Sequence, residues 1–209
     1  MTGYSKLLIN TNYDLESFGN VGANWWLPKN YVTPKSIIYS IGVGEDISFD
    51  TALIDTYACK VYGFDPTPRA AEYVKKHSIK NFLFISLGVW KTNSIVKFFE
   101  PANNQHVSHS IVNLQRTTKY FKAACLTLRS IMERLHHTHI DVLKLDIEGA
   151  EFIVMAQFLA DSVFPKIIAV EFDQPCKLKD MMDCMENLKS RGYLLIKQDH
   201  FNFVFIHAV

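Results

Sequence analysis

"HIDVLKLDIEGAEFIVM", residues 139–155, sets two periodicities on either side of a group of acids. The run "IDVLKL" (140–145) is short and apolar, which reads as a strand buried on both faces of a parallel sheet. From about Glu148 to Leu159 the pattern turns helical. Between the two stand Asp146, Glu148 and Glu151, with Gly149 among them. Open parallel sheets bind ligands outside the carboxyl ends of their strands. Asp146 directly follows the buried run and is therefore expected to face a ligand. Glu148 and Glu151 have a plainer reading as acids in a first helical turn, where the dipole stabilises each by about 0.3–1 kcal/mol. That reading is adopted for Glu151, and Glu148 stays open. Gly149 is read as allowing a close approach of the helix to a ligand or a neighbouring strand.

The alternation extends in both directions. "SIIYSI" (36–41), "KVYGF" (60–64), "NFLFIS" (81–86) and "KIIAVEF" (166–172) read as further buried strands. Helices are expected over 45–58, over 69–78 with Thr67 as N-cap and Pro68 at the first helical position, over 126–135, and over 177–192 closed by Gly192. "IVKFFE" (95–100) reads as an extra strand, and 102–119 as a polar loop. "YLLIKQ" (193–198) and "FNFVFIHA" (201–208) end the chain as two adjacent strands around a turn. Such a sequence predicts an α/β, doubly wound, Rossmann-like fold with helices on both faces. The sheet is expected to be seven-stranded and mostly parallel, with an antiparallel last strand. Residues 1–35 are read as an N-terminal extension and 36–209 as one functional domain.

Composition narrows the partners. At 209 residues with 48% hydrophobic and 21% charged side chains, the chain has enough apolar mass for a full core. A net charge of +1 gives no general attraction to nucleic acid or an acidic membrane. No apolar run approaches the length of a membrane span, and the N-terminus lacks a signal-peptide pattern. Cys59, Cys125, Cys176 and Cys184 form no C-x-x-C pair, so no metal is expected, and reduced thiols fit a cytoplasmic protein.

The strand ends select a ligand. "GVGEDI" (42–47) has Ile47 where a dinucleotide fingerprint has its third glycine. Glu45 and Asp46 sit where a pyrophosphate would meet the helix N-terminus and would repel it. S-adenosyl-L-methionine carries a sulfonium, an ammonium and a carboxylate but no phosphate, and suits Gly42, Val43 and Gly44 better than NAD or ATP. Asp65, followed by Pro66 after the second strand, stands where an acid accepts the ribose hydroxyls. Thr67 supplies the helix cap, which is read as leaving Asp65 free.

"YSIGVGEDISFD", "GFDPTP", "VSHSIVNL" and "IDVLKLDIEGAEF" together resemble the FkbM-type methyltransferases, class I S-adenosylmethionine-dependent enzymes that are mostly O-methyltransferases. The likeness runs from about Trp25 to the C-terminus, and "LKLDIEGAE" is its most specific piece. It implies that Gly42, Val43 and Gly44, with Glu45 and Asp46 beside them, wrap the amino-acid end of the cofactor. Asp65 and Pro66 would lie at the ribose, and Leu87, Gly88 and Val89 near the adenine. Asp146 would face the methionine part or the substrate.

In-line methyl transfer to a hydroxyl needs positioning and a base. Asp146 and His109 are the candidates for that base, with Glu171 third. His200 is a weaker candidate, His207 a packing residue, and His136, His137 and His139 a solvated loop on the opposite face. Trp25 and Trp26 either cover the core or close over the cofactor as a lid. The expected acceptor is a small molecule or a glycan rather than nucleic acid. Two rivals are a methyltransferase-like domain that binds without catalysis and, on the same fold, an NAD-dependent oxidoreductase. Nitrogen acceptors stay open, although "DIEG" stands where many amino-methylating enzymes carry N/D-P-P-Y/F.

Overall fold

The computed structural model describes residues 9–77, 79–103, 108–113, 115–173 and 175–208. The first eight residues of the N-terminal extension, Ser78, and Val107 and Leu114 of "VSHSIVNL" lie outside the described residues. Twelve strands and five helices follow one another as β1 (Leu15–Phe18), β2 (Trp25–Pro28), β3 (Ile37–Ile41), α1 (Ser48–Tyr57), β4 (Lys60–Phe64), α2 (Pro68–Lys76), β5 (Phe82–Ile85), β6 (Gly88–Val89), β7 (Ser94–Phe99), β8 (Tyr120–Leu126), α3 (Leu128–Arg134), β9 (Val142–Leu145), α4 (Glu151–Ala160), β10 (Ile167–Glu171), α5 (Leu178–Ser190), β11 (Tyr193–Asp199) and β12 (Asn202–His207) among the described residues.

Seven strands form the central sheet in the order β11-β12-β10-β9-β3-β4-β5. The strands from β10 to β5 run parallel, and β12 is antiparallel to both β10 and β11. The expected mixed sheet with an antiparallel last strand is the observed one. The order of strand addition reverses between β3 and β9, with β4 and β5 added on one side and β9 and β10 on the other, so the crevice opens at the carboxyl ends of these two strands.

The pleat divides the core in two. Ile38, Val142, Ala169, Val204 and Ile206 point to the face covered by α1 and the β1–β2 hairpin. Tyr39, Leu143, Ile168, Val170 and Phe205 point to the face covered by α3, α4 and α5. Ile38, Tyr39, Val142, Leu143, Ile168 and Ala169 are all 0% exposed, which is why these strands are apolar throughout rather than alternating. Burying each large side chain stabilises the fold by roughly 1.5–3 kcal/mol.

Several details depart from the sequence reading. The extra strand β7 does not join the main sheet. It pairs with β8 and, through β8, with β6 in a separate three-stranded sheet. β8 lies where no strand was predicted, and α3 begins only at Leu128, with Thr127 accepting a hydrogen bond from the Ser130 amide. The N-terminal extension contains a hairpin whose Phe18, Trp25 and Leu27 are buried in the core of the main domain. α4 starts at Glu151, because Glu148 has a φ of +57° and ends any helical path before it.

Candidate functional site

A cavity of about 390 Å³ opens at the carboxyl ends of β3, β4, β9 and β10. The loop after β3 forms its floor. Gly42 has a φ of +82°, and a Cβ there would stand 1.7 Å from the backbone oxygen of Asp146. Only glycine lets this loop wedge against the end of β9. The Gly42 amide donates to Phe64 O at 2.9 Å, and the Asp146 amide donates to Ile41 O at 3.1 Å, which fixes three strand ends together.

Asp65 lines the cavity but is already engaged. Its Oδ1 accepts from the Thr67 amide at 2.8 Å and hydroxyl at 2.6 Å, and its Oδ2 accepts from the Gly44 amide at 3.0 Å. The sequence reading held Asp65 to be free, and the structure corrects that. Asp65 ties the glycine loop to the start of α2; Oδ1 has both lone-pair sites taken, and Oδ2 keeps one for a ligand. Asp46 Oδ1 accepts from the Ser48 amide at 2.7 Å, and Glu45 pairs with Arg69 at 2.6 Å. The positive end of α1 is thus occupied by the chain's own carboxylates.

Asp146, Glu148 and His109 line the cavity, as do Val43, Pro66, Gly88 and Val89. His109 meets the Phe121 ring edge-on, with centroids 5.4 Å apart. His200 does not line it; its side chain is 91% exposed and hydrogen-bonds to Asp199 at 3.0 Å. His207 packs between Phe164 and Tyr193. His136 and His139 are exposed, whereas His137 is half-buried and bonds the Tyr39 hydroxyl at 2.8 Å, so only part of that loop is solvated. No cluster of metal-ligating side chains is present among the described residues.

Register explains which side chains reach the hairpin side of the cavity. Ser40 is paired with Lys144, and Glu171 with Asn202, and all four share the face of Ile38 and Val142. Lys144, Glu171 and Asn202 line the cavity under Trp25. Trp25 is 4% exposed and Trp26 donates to Asp199 at 2.9 Å, so Trp25 forms a packed wall of the cavity within a strand. Lys144, buried to 6% exposure, donates to Gly42 O at 2.7 Å and to Asp146 Oδ2 at 3.2 Å. Sequence reasoning passed over Lys144, Asp50 and Asn202. The lysine inside an otherwise apolar "VLKL" was the available signal, since a buried ammonium requires partners.

Burial pushes the Glu171 carboxyl up to about 7, with Asp146, Asp173 and Glu148 adding repulsion and Lys144 opposing them. Glu151 is not a solvated dipole acid. It is 0% exposed, and its Oε1 accepts from the Ile147 amide at 2.8 Å and the Gly149 amide at 3.2 Å. Its Oε2 has no partner among the described residues unless Asp173 is protonated and donates to it. Burial and the neighbouring carboxylates hold that pair protonated above the ordinary carboxylate range. Asp173 Oδ2 in turn accepts from the Gly149 amide at 2.8 Å, so the shared proton shapes the loop that carries Glu148.

A raised carboxyl pKa stabilises the fold at low pH, and the contribution is lost as pH rises past the unfolded value of about 4. Asparagine mimics the protonated acid and does not titrate. Asp173→Asn is therefore expected to be about 1–3 kcal/mol more stable than wild type at pH 8 and no more stable near pH 4, as read from urea midpoints.

A family profile described as a methyltransferase FkbM domain matches residues 27–195. The probable methyltransferase-like protein 24 of Rattus norvegicus is 25% identical over 141 residues, covering 68% of this chain and 33% of that protein. Its Homo sapiens counterpart is 24% identical over 136 residues, covering 65% and 31%. The chain thus spans about a third of the length of the curated relatives it matches. Among solved structures, a precorrin-6y C5,15-methyltransferase from Geobacter metallireducens superposes with a TM-score of 0.46 at 10% identity, covering 84% of this chain and 80% of that one. The Methanococcus jannaschii fibrillarin pre-rRNA processing protein superposes with a TM-score of 0.46 at 12% identity, covering 97% and 86%.

Proposed function

The chain belongs to the FkbM methyltransferase family and its cofactor is S-adenosyl-L-methionine, and from that premise we propose that it transfers a methyl group to a hydroxyl oxygen of a small molecule or glycan. The cavity fits the cofactor by charge. Among the described residues its lining carries seven carboxylates: Glu45 and Asp46 in the loop, Asp50 on α1, Asp65 after β4, Asp146 and Glu148 after β9, and Glu171 on β10. Lys144 is the one lysine, and no arginine joins it. Such a lining repels phosphates and accepts a sulfonium and an ammonium, which disfavours the oxidoreductase reading.

S-adenosyl-L-methionine supplies the activated methyl group when bound. The protein supplies position, dryness and a proton acceptor. In this reading Gly42, Val43 and Gly44 form the floor for the amino-acid end, and Asp65 and Pro66 flank the ribose. Gly88 and Val89 border the adenine, and Trp25 walls the cavity from water. Glu171 accepts the proton of the attacking hydroxyl. The observation that carries the proposal is the position of Glu171, a cavity carboxyl poised at about 7 beside Asp146. Proton acceptors work best with a pKa near the operating pH. Asp146 Oδ2 already accepts from Lys144, so Asp146 is assigned to holding a ligand rather than to taking the proton. His109, which lines the cavity beside Phe121, is assigned to contact with the acceptor.

No helix among the described residues is long and apolar enough to cross a membrane. Burial pushes the Cys59 and Cys125 thiols up to about 11 and about 12, which leaves them inert as nucleophiles, and a cytoplasmic setting is part of the proposed reading. Calorimetric titration with S-adenosyl-L-methionine, S-adenosylhomocysteine and NAD tests the cofactor. Both adenosyl compounds are expected to bind and NAD to fail. Asp65→Ala is expected to weaken the adenosyl compounds roughly 10- to 100-fold, since charge-assisted hydrogen bonds and the loop anchor go together. Tight NAD binding would overturn the reading.

A further inference from the structure

The cofactor's amino-acid end is a zwitterion, and the cavity offers few groups that match its two charges. Its carboxylate needs a cation or a bare helix N-terminus. The N-terminus of α1 is taken by Asp46 and by Asp50 in its first turn. Lys144 is the one ammonium in the lining among the described residues. An ammonium has three donors, and Gly42 O and Asp146 Oδ2 take two of them. The Trp25 ring lies against the ammonium, its centroid 5.2 Å from the nitrogen.

Asp50 presents the complementary feature. It lines the same cavity and is 2% exposed, and its Oδ1 has no hydrogen-bond partner among the described residues. A buried carboxylate oxygen without a donor is costly. It stands on the first turn of α1, where it feels the Lys144 charge. Ser40, the register partner of Lys144, is the one neutral donor near Asp50 among the described residues: its hydroxyl makes no bond of good geometry but lies close enough to favour the ionised Asp50. A buried carboxyl with only the Ser40 hydroxyl near it and one ammonium with a donor to spare thus meet on the side of the sheet that α1 covers.

We propose that Lys144 and Asp50 form a clamp for the zwitterion of S-adenosyl-L-methionine, with the carboxylate on the Lys144 ammonium and the ammonium on Asp50 Oδ1. The clamp rests on the cofactor assignment above and adds the residues that read its amino-acid end. It also explains why an isolated lysine is retained in a strand whose neighbours are all apolar. Asp146 and Gly42 O hold two of its donors, and a ligand carboxylate would take the third.

Decarboxylated S-adenosylmethionine, which differs from the cofactor only in lacking the carboxylate, separates the two halves of the clamp. The acid-rich lining by itself favours this more cationic compound. The clamp reverses that preference, so wild type is expected to bind S-adenosyl-L-methionine roughly tenfold or more tightly than the decarboxylated form in calorimetry. Lys144→Met is expected to bind the decarboxylated form at least as tightly as the cofactor itself. Lys144→Arg, which keeps the charge and protects against a folding failure, is expected to retain the wild-type preference. Asp50→Asn is expected to weaken both ligands alike, because both keep the ammonium. Equal binding of the two compounds by wild type, or equal loss of both in Lys144→Met, would overturn the clamp. Failure of wild type to bind either compound would instead overturn the cofactor assignment beneath it.

Discussion

Replacing Gly42 with alanine is expected to cost about 3–5 kcal/mol of stability, a large share of the 5–15 kcal/mol typical of a domain. Two penalties combine. The φ of +82° lies where side chains are strained, and the new methyl would stand 1.7 Å from the backbone oxygen of Asp146. That oxygen belongs to a strand end and cannot swing aside as a side-chain tip does. The neighbouring hydrogen bonds, Gly42 to Phe64 and Asp146 to Ile41, would have to lengthen together. Gly22 provides the control. It has a φ of +90° but nothing within 4 Å of the added methyl, so Gly22→Ala is expected to cost only about 1 kcal/mol. Urea midpoints of the two variants separate crowding from conformational strain. A Gly42→Ala protein within about 1 kcal/mol of wild type would mean that the loop does not wedge against β9.

What the sequence made legible follows from burial. Strands at the centre of a parallel sheet are apolar on both faces, so β3, β9 and β10 announced themselves, and the acids at their carboxyl ends marked the crevice. β8 did not. It lies outside the main sheet, and exposed Tyr120, Lys122 and Ala124 alternate with half-buried Phe121 and Ala123 before the buried Cys125 and Leu126. Its apolar end ran into that of α3, with only Thr127 marking the boundary. The β1–β2 hairpin was hidden because each strand has four residues and its partners in the core lie far along the chain.

The site was legible at the level of strand ends and opaque at the level of partners. Glu151 looked like an ordinary acid in a first helical turn. Its burial and its proton shared with Asp173 depend on how β10 ends beside the loop after β9, which no local pattern encodes. Asp65 looked free because Thr67 could cap its helix alone. The fold instead uses Asp65 to join the Thr67 amide and the Gly44 amide across two strand ends. Lys144 and Asn202 required the register of the sheet, since only pairing with Ser40 and Glu171 puts them on the cavity side.

Glu171→Gln is expected to lower kcat/KM by about 10²- to 10⁴-fold with any hydroxyl acceptor that the wild type turns over. The expectation comes from its place at the cavity and from a carboxyl held at about 7. The base must be ionised to work, so wild-type activity should rise with pH through about 7 and then level off. Groups facing it set that position: Asp146, Asp173 and Glu148 push it up after burial, and Lys144 pulls it down. Glutamine removes the titration, so the rising limb should vanish along with the rate. Stability should move the other way. A carboxyl raised in the fold gives up stability as pH climbs past its ordinary value, so the variant should be at least as stable as wild type at pH 8. Loss of activity without loss of stability would separate proton transfer from support of the fold. A rate within tenfold of wild type, with the rising limb intact, would move the base to Asp146 or His109 and leave Glu171 as a contact for the acceptor.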